Sequence, residues 1–113
     1  MIRTLTAAAF AALVIATPAL ADPIAGNWKR PNGIVVRFVP CNAGFCAIVQ
    51  TGPNKGKSAG KLSASGAGYK GSLTDLENNK TYSGKGSISG STLKVSGCVL
   101  GGLICKSENW TRQ

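Results

Sequence analysis

The sequence predicts an all-β fold, a small antiparallel up-and-down β-barrel of about eight strands. Short runs of alternating apolar and polar residues are separated by Gly, Asn and Pro, which is a strand-and-turn pattern. No stretch sustains the three- and four-residue apolar spacing of a helix, and the chain contains fifteen glycines. Because the connections are short, neighbouring strands must pair antiparallel, and closure into a barrel removes the unpaired edges.

Residues 1–21 are expected to be a cleaved signal peptide. Arg3 supplies a positive start, Ala7–Ala16 is a short apolar run, and Ala19–Ala21 is a small-x-small cleavage signal. We therefore expect cleavage after Ala21, a location in the periplasm or outside the cell, and a single domain over residues 22–113. An uncleaved anchor is the less favoured alternative because the apolar run is too short to span a bilayer. No later run is longer, so an integral membrane protein is not expected.

Eight strands can be assigned along the predicted domain, and the turn residues between them set their limits. Their expected ranges are 26–30, 34–40, 45–50, 57–63, 67–74, 80–88, 91–99 and 103–111. Alternation places Leu93, Val95 and Val99 on one face, and the corresponding face of 80–88 carries Gly84 and Gly86. Glycine on that face permits the sharp coiling that closes a small barrel.

The cysteines are Cys41, Cys46, Cys98 and Cys105. Four cysteines allow three pairings, and turn geometry favours one of them. A two-residue turn at Ala43–Gly44 places Cys41 opposite Cys46, and one at Gly101–Gly102 places Cys98 opposite Cys105. A zinc site or free thiols are disfavoured because an exported chain meets an oxidising compartment and this one has no histidine.

The second of these hairpins has a consequence for two charged residues. If Cys98 faces Cys105, then Lys106 and Glu108 share the inner face with Val95 and Val99. Either a β-bulge near Lys106 turns the charges outward, or they line a pocket. We favour the bulge.

The two ends of the predicted domain carry related motifs. Gly26-Asn27-Trp28 opens the first strand, and Trp110-Thr111-Arg112 closes the last. First and last strands are neighbours in an up-and-down barrel, so Arg112 is expected to lie over the Trp28 indole in a cation–π contact. Gly26, Trp28, Trp110 and Arg112 are therefore the predicted barrel-closing residues.

With these motifs the chain resembles the lipocalin/calycin superfamily and, more specifically, the DUF2147 family of exported bacterial proteins. The resemblance rests on Gly26–Trp28, Pro40–Cys46, Asp75–Tyr82 and Leu93–Val95, and on the segment from Gly97 to Arg112. It implies a lipocalin-like barrel and a small apolar ligand, and no activity. The chain is a short variant, since the longer segment that the family usually has between Val49 and Tyr69 is missing.

The charge is strongly basic. The whole chain has 13 Lys and Arg against 4 Asp and Glu, so without Arg3 the net charge is 12 − 4 = +8. An anionic partner would explain this surplus. A solvated, self-repelling surface is the favoured reading because the lysines are dispersed singly along the chain, unlike a nucleic-acid patch.

Catalysis has little support in this sequence, so the chain is not expected to be an enzyme. The acidic residues of the predicted domain are Asp22, Asp75, Glu77 and Glu108. Asp75 and Glu77 flank a turn, and we expect them to bind the backbone amides of that turn. No glycine pattern follows a strand and opens a helix. No cofactor, catalytic residue or metal ligand is predicted.

Three functions remain. The favoured one is a binding module for a small apolar or amphipathic ligand, although eight strands leave little interior room and the shortened middle favours a filled core. The second is a protein-interaction module such as a protease inhibitor, acting through its N-terminal segment or a loop; it is less favoured because the segment at residues 22–25 is short. The third is a basic, envelope-associated structural protein that binds an anionic surface.

Overall fold

The computed structural model describes residues 22–113. The predicted signal peptide, with Arg3, Ala7–Ala16 and the Ala19–Ala21 cleavage signal, lies outside the described residues. Within residues 22–113, no helix has the length and apolar character needed to cross a bilayer.

Eight antiparallel strands form a closed barrel in the order of the chain, β1-β2-β3-β4-β5-β6-β7-β8. The predicted fold class is confirmed, and the strand ends differ from the predicted ones by only one or two residues. The strands are β1 Gly26–Lys29, β2 Val35–Cys41, β3 Gly44–Val49, β4 Ser58–Ser65, β5 Gly68–Asp75, β6 Lys80–Ser89, β7 Thr92–Val99 and β8 Ile104–Arg112.

The disulfides join the two predicted pairs, Cys41–Cys46 and Cys98–Cys105. The register of the first hairpin differs from the prediction. Cys41 lies opposite Gly44, so the turn is Asn42–Ala43, with Ala43 at a φ of 55°. Cys46 therefore lies diagonal to Cys41, two residues beyond its ladder partner, and the Cα atoms are 5.8 Å apart.

The second hairpin has the predicted ladder but a different turn. Cys98 pairs directly with Cys105. The connection is a turn over residues 100–103 in which Leu100, Gly101 and Gly102 all have positive φ and the Leu103 N–H donates to the Leu100 carbonyl, rather than a two-residue turn at Gly101–Gly102. Leu100 has a positive φ of 54°, which is sterically unfavourable for a leucine.

The predicted bulge near Lys106 is wrong. The β7–β8 register runs without interruption from Thr92↔Thr111 to Val99↔Ile104, and the register shift lies instead between β3 and β4, at Cys46–Ile48. Lys106 and Glu108 therefore do face the interior. Two charged residues can face inward here because the barrel is open to water at their level and because Glu108 forms an ion pair with Arg30.

The two ends of the barrel differ. At one end, residues 22–25 lie against a packed core in which Ile24, Trp28 and Leu93 are fully buried. The turns at this closed end are 42–43, 66–67 and 90–91. The loops of the opposite, open end are 30–34, 50–57, 76–79 and 100–103.

Candidate ligand-binding cavity

A cavity of about 450 Å³ occupies the open half of the barrel. Apolar side chains from several strands form its wall, among them Val36, Val49, Leu73 and Val95, together with the ring of Tyr82. Val36, Val49 and Val95 are buried. This half of the interior is therefore hollow, whereas the expected loss of a middle segment favoured a filled core.

Glycines on the inner face explain which half is filled. A Cβ on Gly84 would lie 2.7 Å from Leu73, and one on Gly86 would lie 3.4 Å from both Leu62 and Leu93. Gly86 therefore makes room for Leu62 and Leu93 in the closed half, and Gly84 makes room for Leu73, which lines the cavity. Towards the open end, β7 contributes only small or exposed residues to the interior, and the space remains open.

An ion pair lies on the cavity wall. The Arg30 Nε and Nη2 atoms donate to the two carboxylate oxygens of Glu108 at 3.1 and 3.0 Å. The Trp110 indole N–H also donates to Glu108 Oε1, at 2.8 Å. The Arg30 hydrogen bonds hold the pKa of Glu108 below its usual value, against the opposing effect of burial. Glu108 is therefore an ionised and fully partnered carboxylate.

Lys106 brings a second cation to the same wall. It lies opposite Gly97 on the inner face of β8 and lines the cavity. Arg30–Glu108 is the only ion pair within residues 22–113. Lys106 therefore has no carboxylate partner in that part of the chain. In all, three basic and three acidic residues line the cavity, and Lys106 is a cation on the β8 wall that forms no ion pair.

Asp75 lies at the rim, where it stabilises the turn that follows β5. Its Oδ1 atom accepts from the backbone N–H groups of Glu77 and Asn78, and its Oδ2 atom accepts from the Asn78 side chain. The hydrogen bond from the Asn78 side-chain amide lowers the pKa of Asp75. Asp75 thus binds backbone amides as the sequence predicts, whereas Glu77 is exposed.

An apolar lip stands at the mouth of the cavity, formed by Val99, Leu100, Leu103 and Ile104. Their exposed fractions are 36%, 67%, 86% and 54%. Val99 and Ile104 also line the cavity, so the lip is continuous with its apolar wall. The Cys98–Cys105 disulfide joins the two strands immediately below it.

The barrel-closing residues meet at the seam between β1 and β8. This seam has only two ladder pairs, Trp28↔Arg112 and Lys29↔Thr111. The Arg112 guanidinium lies 4.0 Å from the Trp28 ring centroid, the arrangement that the terminal motifs predict. It also donates to the backbone oxygens of Ala25, at 2.8 Å, and Pro23.

A second, reciprocal contact lies further along the seam, and the sequence reasoning missed it. The Arg30 guanidinium lies 5.7 Å from the Trp110 ring centroid. Trp28-Lys29-Arg30 and Trp110-Thr111-Arg112 are two copies of a W-x-R motif. On antiparallel neighbours in this register, each arginine meets the other copy's tryptophan. The repeated motif is the signal that could have identified Arg30.

Residues 22–25 are fixed at the closed end. The Trp28 indole donates to the Ile24 carbonyl at 2.9 Å, and the Tyr69 hydroxyl donates to Asp22 Oδ1 at 2.5 Å. Burial, followed by this hydrogen bond, raises the pKa of Tyr69 to about 12. The segment therefore plugs the end of the barrel opposite the cavity.

Comparison with known proteins agrees with this architecture. Residues 57–112 match the family model of DUF2147, described as an uncharacterized protein conserved in bacteria, and this confirms the predicted resemblance over that segment. The fold is similar to that of protein HP1028 from Helicobacter pylori, described as belonging to the lipocalin family. The TM-score is 0.64 at 16% identity, covering 82% of this chain and 84% of that one. No curated protein matches the sequence.

Proposed function

We propose, from the premise of a DUF2147-related, lipocalin-like barrel, that this protein binds a small amphipathic molecule in its open-end cavity. The apolar part of the ligand lies against Val36, Val49 and Val95, and an anionic end lies near Lys106. The observation that carries the proposal is the cavity itself, with its apolar wall and a single wide mouth.

The size of the cavity suits one small ligand. At about 450 Å³ it falls within the range of roughly 300–1,000 Å³ that is usual for small-molecule sites. An eight-stranded barrel has room for one such molecule. The apolar lip offers a continuous path from the solvent to the wall, because Val99 and Ile104 belong to both.

The unpaired Lys106 on the β8 wall favours an anionic head group beside it. Glu108 is neutralised by Arg30, whereas Lys106 faces the cavity without such a partner. A ligand carboxylate or sulfonate would supply that partner, and a purely apolar ligand would leave the ammonium group to be solvated at the mouth. The proposed ligand is therefore an amphipathic anion rather than a neutral hydrocarbon.

The proposal includes export after cleavage at Ala21 and binding without catalysis. Two of the carboxylates that line the cavity are already occupied, Asp75 by the turn and Glu108 by Arg30. This leaves neither of them poised as a free general acid or base.

A protease inhibitor acting through residues 22–25 is the weaker candidate. Such a segment would have to enter the active site of another protein. Ile24 is fully buried against the barrel, and Arg112 holds the backbone of Pro23 and Ala25. Residues 22–25 are thus packed into the protein's own barrel and are not free to enter a protease active site.

The test is a fluorescence titration with parinaric acid, an amphipathic monocarboxylate. We expect saturable one-to-one binding to the native protein. Val95→Phe adds volume inside the cavity and should weaken binding at least about tenfold, since the larger ring occupies space that the ligand needs. Val39→Phe, the same change on the outward face of β2, should bind like the native protein. Equal binding by both variants, or no binding by the native protein, would contradict the proposal.

A further inference from the structure

The outer face of β5, β6 and β7 is basic and rich in hydroxyl groups. Apart from Gly68 and Cys98, its outward positions hold only lysine, serine and threonine. No carboxylate lies on this face, because Asp22 lies at the closed end and the other acids lie at the open end or in the cavity.

Four lysines that are far apart in sequence form a single band across this face. Lys70 on β5 lies directly opposite Lys85 on β6. Lys61 on β4 and Lys94 on β7 each lie one diagonal step away, on opposite sides. With direct neighbours about 5 Å apart and diagonal ones about 7–8 Å apart, the band is about 20 Å long. These lysines are dispersed along the sequence, which favoured a solvated surface, but they form a cluster in the folded sheet.

This arrangement does not stabilise the barrel. Like charges directly opposite one another in a sheet are destabilising. Within residues 22–113, the one ion pair is Arg30–Glu108, so none of the four lysines has a carboxylate partner there. A shallow groove runs along Lys70, Lys85 and Lys94, with Ser87 and Ser96 beside them. The charges therefore lie where an external anion can reach several of them at once.

We propose that this lysine band, formed by Lys61, Lys70, Lys85 and Lys94, is a second binding surface whose partner is an anionic polysaccharide. Its lysines pair with carboxylate or phosphate groups along the chain. The intervening serine and threonine hydroxyls, which both donate and accept hydrogen bonds, match sugar hydroxyls and ring oxygens. The surface lies outside the barrel and is independent of the cavity ligand.

The same face is poorly suited to other anionic partners. Its outward positions carry no aromatic side chain on which the bases of a single-stranded nucleic acid could stack. Tyr69 borders the groove, but its hydroxyl is bonded to Asp22 at the closed end. It also has no apolar side chain to enter a bilayer, since among residues 22–113 the exposed large apolar residues are Val99, Leu100, Leu103 and Ile104 at the open end. A hydrated, hydroxyl-rich polyanion fits it better than either.

The test measures binding of the full chain to polygalacturonate, to phosphorylated dextran and to neutral dextran. We expect binding to a charged glycan that weakens as salt rises, and none to neutral dextran. Tighter binding to polygalacturonate assigns the recognised group as a carboxylate, and tighter binding to phosphorylated dextran assigns it as a phosphate. The double variant Lys70→Gln/Lys85→Gln should lower the affinity about tenfold or more, given about 1 kcal/mol for each lysine near an anionic surface.

A matched control separates the lysine band from net charge. Lys55→Gln/Lys57→Gln removes the same charge from the 50–57 loop and should change the affinity no more than about twofold. The Lys70/Lys85 variant should melt at the native temperature or above it, because a repulsive pair has gone. Equal losses in the two double variants would overturn the proposal. Tighter binding to double-stranded DNA or phosphatidylglycerol vesicles than to either glycan, or no glycan binding at all, would overturn it as well.

Discussion

At the residue scale, Leu100 is the most unusual position in the part of the chain that the structure describes. Its φ of 54° is costly for a leucine, yet its side chain is 67% exposed and recovers little by packing. A residue kept under strain without a packing reward is more simply explained by what it presents at the cavity mouth than by stability.

Leu100→Asn should therefore stabilise the protein by about 1 kcal/mol, since Asn adopts a positive φ more readily. Leu103→Asn is the matched control, because Leu103 is also a leucine of the lip, is still more exposed and has an ordinary φ of −74°. It should leave the melting temperature unchanged. A fall in melting temperature for Leu100→Asn would mean that the leucine makes contacts that hold the fold.

Glu108 gives the protein a pH-dependent contribution to stability. Its pKa is lowered in the folded protein, first by Arg30. The contribution is therefore present above the unfolded-state value of about 4.3 and is lost as the pH falls through the folded-state pKa.

Glu108→Gln should cost about 1–2 kcal/mol at neutral pH, a modest figure because the Arg30 and Glu108 side chains are 31% and 41% exposed. In urea denaturation, the difference from the native protein should shrink on acidification below about pH 4.3. Glu77→Gln, which changes an exposed rim carboxylate, should have little effect at any pH. A difference for Glu108→Gln that is constant with pH would refute the ion-pair account.

The inward direction of Glu108 and Lys106 could be predicted from the sequence. How the barrel accommodates these two charges could not. Strand parity placed both residues inside the barrel. The favoured bulge was inferred from the cost of burying charge. That cost disappears only because Arg30, from the other end of the chain, reaches Glu108 and because the barrel is open at that level.

At the scale of elements, the β1–β8 seam is the weakest junction of the barrel. Two ladder pairs join these strands, whereas β7 and β8 share eight. The two W-x-R motifs reinforce the seam from both ends, with Arg112 over Trp28 and Arg30 over Trp110. Closure thus depends on side chains where backbone pairing is short.

Arg112→Ala should lower stability by about 0.5–2 kcal/mol and change the fluorescence of Trp28. Arg112→Lys should recover only part of the loss, because an ammonium group cannot stack as a plane or donate to both the Pro23 and Ala25 carbonyls with the same geometry. Thermal denaturation with tryptophan emission measures both effects. If Arg112→Ala left both unchanged, the seam would be held by its ladder alone.

The strands themselves were predictable because alternation and short turns are local signals. The turn registers were less so. A shift of one residue, from Ala43–Gly44 to Asn42–Ala43, leaves the Cys41–Cys46 pair intact but makes it diagonal. Ala43 takes a positive φ, and nothing in the local sequence favours that residue over the adjacent glycine.

At the scale of the whole molecule, the barrel divides into a packed half and a hollow half. Whether a small barrel is hollow depends on the summed volume of inward side chains from all eight strands, which no single segment reveals. Leu62 and Leu93, packed beside Gly86, fill the closed half, and the cavity lies in the other half. The lysine band likewise appears only when β4 to β7 are brought into register.

The central claim, that the hollow half holds an amphipathic molecule, is tested most directly by native mass spectrometry of the protein recovered from cells that make it. We predict a polypeptide that begins at Asp22, carries two disulfides and retains a small molecule that dissociates on denaturation. Val95→Phe, prepared in the same way, should carry none, and Val39→Phe should carry it. The claim would be contradicted if the native protein showed only the mass of its own polypeptide and acquired no added parinaric acid, or if Val95→Phe retained the molecule as fully as the native protein.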